Sequence, residues 1–267
     1  MPMTRAASAT SAPLSRLRAL AAGADAAERS WSISSGRVEE RVLFFFDAAA
    51  GRPAALAETA QALGMPRGLI AAWRAALPGA DAVMIALRRD LRSVRLYTQY
   101  WDALAARVRA GERAPFPLYA GFKALPDGTV RRDVYHCLPM APPEVFMPEI
   151  DAMAEGLGLD PAMTRASFAS LGAHNTILTA TESAERRSWL LTVRRADLET
   201  AAVARLLAPL EARPEARPVV AEAAARRLMH LAGGRDSSKG AFATFYFEAD
   251  PAAAAASLTP ATRRPGN

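Results

Sequence analysis

The sequence holds a single cysteine, Cys137, so an internal disulfide is excluded and a reducing compartment, the cytoplasm, is expected. It holds three histidines, His136, His174 and His230, far apart and without carboxylates or cysteine at ligand spacing, which argues against a zinc site. No window approaches the roughly 20 apolar residues of a membrane span, and the N-terminal stretch MPMTRAASATSAPLSRLRALAAG lacks the apolar run of a signal peptide. Neither an anchor nor a leader is expected. Lysine is scarce beside arginine, and the net charge of +6 is spread along the chain, with no basic cluster carrying interleaved aromatics. Nucleic acid is therefore not an expected partner. The stretch GGRDSSKG lacks the full phosphate-loop pattern and falls in a hairpin turn, not between strand and helix.

What is present is apolar substance in a repeated order. With 51% hydrophobic and 22% charged residues over 267 positions, the chain has the profile of a folded globular protein, and a body of this size buries roughly 70–75% of its unfolded surface. One unit recurs five times: a helix, two short alternating segments joined by a polar turn, and a helix again. The paired segments are 31–47, 81–101, 116–139, 175–195 and 228–248. The third is the clearest, because Pro-Asp-Gly-Thr between two β-rich runs is a strong turn. Gly64 and Gly156 or Gly158 read as helix ends, and Pro53, Pro143 and Pro161 as helix starts. Residues 1–12 and 253–267 read as flexible tails around one domain, 13–252.

Strands so close in sequence pair antiparallel. Ten strands in an open sheet would leave two bare edges, whereas closure into a barrel removes them. The expected fold is α+β: a closed antiparallel ten-stranded barrel of five α-β-β-α units with helices outside. Alternation in SVRLYTQYW puts Leu96 toward the helices and Arg95, Tyr97 and Gln99 toward the lumen. The same parity brings Arg41 inward, along with Glu39 and Asp47, then Lys123 with Tyr119, Arg194 with Thr192, and Thr244 with Tyr246. Lys239 falls near the last turn. A two-residue Asp127-Gly128 loop would pair Lys123 with Arg132 and Tyr119 with His136, adding Arg132 and His136 to the lumen. Cations gathered in a partly dry cavity call for an anion with several oxygens, and tyrosines beside them can donate to oxygens or offer π faces to a carbocation. Cys137 reads as core, as does the run LFFFD. Trp73, Trp101 and Trp189 read as packing between strands and helices, with one of them free to close the mouth.

The repeat topology and the strands VRLYTQY, LYAGFK and FATFYFE resemble the ABBA-type aromatic prenyltransferases over residues 14–250. The resemblance implies transfer of an isoprenoid from a prenyl diphosphate to an aromatic small molecule or aromatic peptide side chain. By the same likeness Arg95, Lys123 and Arg194 hold the diphosphate, with Arg41 and Arg132 beside them, and Tyr97, Tyr119 and Tyr246 shield the allylic cation. Asp47 or Glu39 would take the last proton, and Gln99, His136, Thr192 and Thr244 complete the lumen. The Asp-rich metal motif of the helical prenyltransferases is missing, so no cofactor is required and magnesium is optional. A monomer is expected. The chain departs from the family in its modest length and in Thr244, where a cation would be expected. The same lumen also suits a non-catalytic protein that binds a hydrophobic anion, a peptide or a partner enzyme.

Overall fold

In a computed structural model of the protein, residues 5–49, 51–183, 185–237 and 239–259 are described. The first hairpin is β1 (Ala26–Ser34) and β2 (Arg37–Asp47), preceded by α1 (Arg5–Ala21) and followed by α2 (Arg52–Ala62) and α3 (Arg67–Ala75). Next come β3 (Ala82–Arg88) and β4 (Val94–Gln99), α4 (Trp101–Arg109), then β5 (Phe116–Ala124) and β6 (Val130–Leu138). The helices α5 (Pro143–Leu157) and α6 (Pro161–Ser167) lead to β7 (Ile177–Ser183) and β8 (Arg186–Thr192). After α7 (Thr200–Leu207) and α8 (Arg217–Ala225), β9 (Leu228–Asp236) and β10 (Gly240–Ala249) end in α9 (Pro251–Ala256). Each strand pairs with its sequence neighbours and β1 closes on β10, all antiparallel, so the sheet has no free edge strand.

Two clusters of buried side chains fill the space between barrel and helices. One joins Val42, Phe44, Phe46, Ile85 and Leu96 to Trp73 and Leu69 of α3; the other joins Trp31, Leu191, Leu231 and Phe245 to Phe146 and Ile150 of α5. Leu96 is fully buried outside, with Arg95, Tyr97 and Gln99 facing the lumen, as the alternation requires. Residues 253–259 are not a loose tail: Ala254, Ala255 and Leu258 are buried in the cluster that holds Leu14 and Leu17 of α1. Residues 1–4 and 260–267 lie outside the described residues. The third unit also departs from the repeat, since α4 alone separates β4 from β5 where two helices stand between other hairpins. The outer face of β6 is correspondingly open, with Val130, Arg132, Val134 and His136 exposed.

The third hairpin differs from its expected register. Leu125 and Thr129 close a three-residue loop, Pro126-Asp127-Gly128, with Gly128 at φ 85°, and Lys123 pairs with Arg131 instead of Arg132. A type I turn followed by a left-handed glycine makes this loop one residue longer than the tightest hairpin turn. One residue of slip exchanges the two faces of a strand. Arg131, Asp133 and Tyr135 therefore point inward, and Arg132 and His136, expected in the lumen, stand in solvent.

Candidate functional site

The lumen is a cavity of about 470 Å³, reached from the end where the helices connect. Its mid-level is lined by four tyrosines from four strands: Tyr97, Tyr119, Tyr135 and Tyr246. The rings of Tyr97 and Tyr119 each lie 6.3 Å from that of Tyr135, the second edge-on. Gly121 makes this possible, because a Cβ there would come within 2.8 Å of the Tyr97 ring. Burial raises the phenols of Tyr135 and Tyr246, the latter to about 12, so they present O–H groups at neutral pH.

Below the tyrosines, at the turn end, cations converge. Arg41 and Lys123 are 9% and 2% exposed, and Arg95 is partly buried between them and Tyr97. The Arg186 guanidinium and the Lys239 amine lie 4.9 Å and 4.4 Å from the ring centre of Phe242. Against these and Arg131 stand three carboxylates among the described residues, Glu39, Asp133 and Asp236, the last paired with Arg131 at 2.9 Å. Burial, with Arg95 beside it, pushes Arg41 down to about 10. Burial and the fields of Arg41, Arg186 and Arg95 push Lys239 down to about 6. That is the signature of positive charge short of its counter-ion.

Lys239 makes a pH-dependent prediction. Its ordinary value of 10.5 falls to about 6 on folding, so between those limits the unfolded chain binds more protons than the native one. The unfavourable contribution is full below pH 6 and fades as pH rises toward 10.5. Lys239→Met is expected to raise the melting temperature more at pH 6 than at pH 9, measured by thermal denaturation; equal shifts at both would contradict the assignment.

The expected site residues are not equivalent once placed. Lys123 is not a free cation: it forms an ion pair with Asp133 and donates to Tyr135 Oη at 2.7 Å. Arg194 lies beyond the end of β8, exposed at the mouth and away from the cation cluster. Glu39 is claimed by Arg41 at 2.5 Å, Arg37 at 2.7 Å and Arg88 at 3.3 Å, and despite its burial Arg41, Arg37 and Lys239 hold its carboxyl below the usual range. Asp47 is exposed at the opposite rim, where its carboxylate accepts from the backbone of Ala49 at 3.0 Å. Thr244 and Thr192 are buried on the inner face, and Gln99 donates to Asp81 at 3.1 Å near the mouth. Trp101 lines the mouth, while Trp73 and Trp189 pack outside the barrel. Cys137 is buried with Leu104 and Leu118, and burial pushes its thiol up to about 12, far from a nucleophile.

Two side chains not singled out by the sequence give the lumen a carboxylate of its own. Glu28 of β1, 5% exposed, accepts from His230 Nε2 of β9 at 2.7 Å, and His230 Nδ1 meets Thr192 Oγ1 of β8 at 2.8 Å. The Tyr246 ring stands edge-on to the imidazole at 5.7 Å. The polar stripe Glu28, Ser30, Ser32 alternating with Trp31 and Ile33 is the signal that marks β1 as a lumen strand. Among the described residues no cluster of His, Cys, Asp and Glu could hold a metal ion, and no helix is long and apolar enough to cross a membrane.

No family model matches the chain, and no curated protein sequence matches it. Some solved structures are similar to it at low identity. The 5-dimethylallyl tryptophan synthase from Streptomyces coelicolor in complex with DMASPP and Trp is 15% identical, with TM-score 0.48 and 97% of each chain covered. The prenyltransferase PriB, in a ternary complex with L-tryptophan and dimethylallyl thiolodiphosphate, is 14% identical at TM-score 0.48, over 84% of this chain and 80% of that one. NotF in complex with brevianamide F and DMSPP is 12% identical at TM-score 0.48, over 83% and 79%. The sheet is a ten-stranded closed antiparallel barrel with its hairpins in meander order, as the strand pattern leads one to expect.

Proposed function

We propose that the protein transfers an isoprenoid group from an allylic diphosphate to an aromatic acceptor inside the barrel. The observation that carries this reading is the layering along the barrel: Arg41 and Arg95 on the lumen wall with the depressed Lys239 near them at the turn end, aromatic rings above them, and the Glu28 carboxylate on the wall. A cavity of about 470 Å³ lies within the range of roughly 300–1,000 Å³ typical of small-molecule sites.

In this reading Arg41, Arg95, Arg186 and Lys239 hold the diphosphate. Lys123 contributes less, because Asp133 already neutralises it. The allylic C–O bond breaks with its electron pair going to the diphosphate, whose growing charge the fixed cations stabilise more than they stabilise the ground state. The rings of Tyr97, Tyr119, Tyr135 and Tyr246 face the carbocation and exclude water. The acceptor ring attacks the allylic carbon, and Glu28 takes the proton released as aromaticity returns. Glu28 replaces Asp47 and Glu39 in this role, since one is at the rim and the other is held by three arginines.

The test is incubation of the purified protein with dimethylallyl, geranyl and farnesyl diphosphate, each paired with indole, phenol and peptide acceptors, read by mass for the added isoprenoid. Transfer in at least one pairing is expected. Binding of a diphosphate with no transfer in any pairing would favour a carrier using the same lumen, and neither binding nor transfer would overturn the reading.

A further inference from the structure

The bond between Glu28 and His230 crosses a strand. β10 lies between β1 and β9, and its Tyr246 pairs with Ser30 on one side and His230 on the other. His230 faces inward by the regular register that ends at Tyr246; one step on, Phe247 opposes Leu228, so Met229 is an extra, bulged residue of β9. Met229 and His230, though adjacent, both line the lumen as a result. Bulges re-aim side chains in this way. Thr192 Oγ1 then meets the far ring nitrogen, and among the described residues that hydroxyl has no other hydrogen-bond partner. Glu28 Oε1 is taken by Nε2, and Oε2 has no hydrogen-bond partner among the described residues although Glu28 lines the cavity.

The donor and acceptor roles follow from this geometry. A lone pair on Nε2 facing the oxygen of an ionised carboxylate at 2.7 Å would repel it, so the proton is assigned to Nε2, and Nδ1 is the acceptor from Thr192 O–H. Resting on the transfer reading above, we propose that His230 is a positioning residue. With Nε2–H directed to the Glu28 carboxylate and Nδ1 meeting Thr192 Oγ1, it holds Glu28 Oε1 and leaves Oε2 aimed into the lumen, where the acceptor gives up its proton. His230 touches neither substrate nor diphosphate; it acts through Glu28.

The experiment has two arms. In the first, the three histidines of the full chain are labelled with nitrogen-15, and the His230 signals are identified by their loss in His230→Gln. The Nε2–H tautomer is expected in the wild type and in Thr192→Val, where the Glu28 carboxylate still faces Nε2, and its share is expected to fall in Glu28→Leu. An Nδ1–H tautomer in the wild type, or a tautomer ratio unchanged in Glu28→Leu, overturns the proposal. This arm needs no turnover, so it decides the positioning claim even if no acceptor is prenylated and the function reading fails. In the second arm, transfer from dimethylallyl diphosphate to the acceptor found active is compared among variants. His230→Leu is expected to lower kcat by up to about 100-fold, as misplaced reacting groups do, with the KM for diphosphate unchanged. His230→Gln, which keeps an N–H donor, should recover most of the loss, and Thr192→Val should fall between. Equal losses in the Leu and Gln variants, or an effect confined to diphosphate KM, would overturn it.

Discussion

Replacing Glu28 with Gln is expected to lower turnover by about 100- to 10,000-fold, the range for loss of a positioned general base, while leaving diphosphate affinity within a factor of about two of wild type. The separation arises because Glu28 stands with His230 and Thr192 on β1, β9 and β8, whereas the cations sit at the turn end. The substitution is isosteric and keeps an oxygen for His230 Nε2–H, so folding should be preserved. Rapid-quench kinetics under single turnover, beside a direct titration with diphosphate, check both halves. Undiminished transfer in Glu28→Gln would remove this residue from the chemistry, and lost diphosphate affinity would mean that the two ends of the lumen are not separate.

The second large effect distinguishes the cations from one another. Arg95 has no carboxylate at ion-pair distance among the described residues; its side-chain partners are Tyr97 and Ser93 Oγ, the latter at 3.4 Å. Arg95→Met should cost diphosphate binding about 1.5–3 kcal/mol, the worth of a hydrogen bond to a charged group. That is roughly 10- to 150-fold in Kd. Stability should hold or rise, since Arg41, Lys123 and Lys239 each lose a repelling neighbour. Lys123→Met is expected to behave oppositely. It strands the carboxylate of Asp133, 7% exposed, and breaking a buried pair from one side costs about 3–5 kcal/mol of stability. Replacing Lys123 and Asp133 together with Met and Leu should restore most of it. Urea denaturation of the four proteins gives the comparison; equal destabilisation by Arg95→Met and Lys123→Met would contradict the charge assignment.

That contrast also shows what could be read from the sequence. The two faces of β4 were legible because alternation of Arg95, Tyr97 and Gln99 with Val94, Leu96 and Thr98 is uninterrupted, and five such hairpins in order point to a closed barrel. The inner face of β6 was not, because loop length, and not the strand's own pattern, sets its register. Pro-Asp-Gly suits a two-residue or a three-residue turn, and the three-residue form exchanges Arg132 and His136 for Asp133 and Tyr135. Lys123 therefore looked like a free cation when its partner lies on the next strand. His230 shares the inward parity of Ala232, but its partner Glu28 is 202 positions away, and no local pattern joins the two. Arg194 follows the strand parity but lies past the end of β8, where parity no longer governs direction.

The central claim, that the turn end of this lumen is a diphosphate site, is tested most directly by calorimetric titration of the wild type and of Arg95→Met with dimethylallyl diphosphate, in two buffers of different ionisation heat. Lys239 is held down to about 6 by burial and by Arg41, Arg186 and Arg95. An arriving anion raises it again, so binding at neutral pH should take up protons. The account predicts saturable binding with net proton uptake in the wild type and affinity at least about tenfold weaker in Arg95→Met. Binding that is absent, or unchanged by the substitution and free of proton uptake, would contradict it.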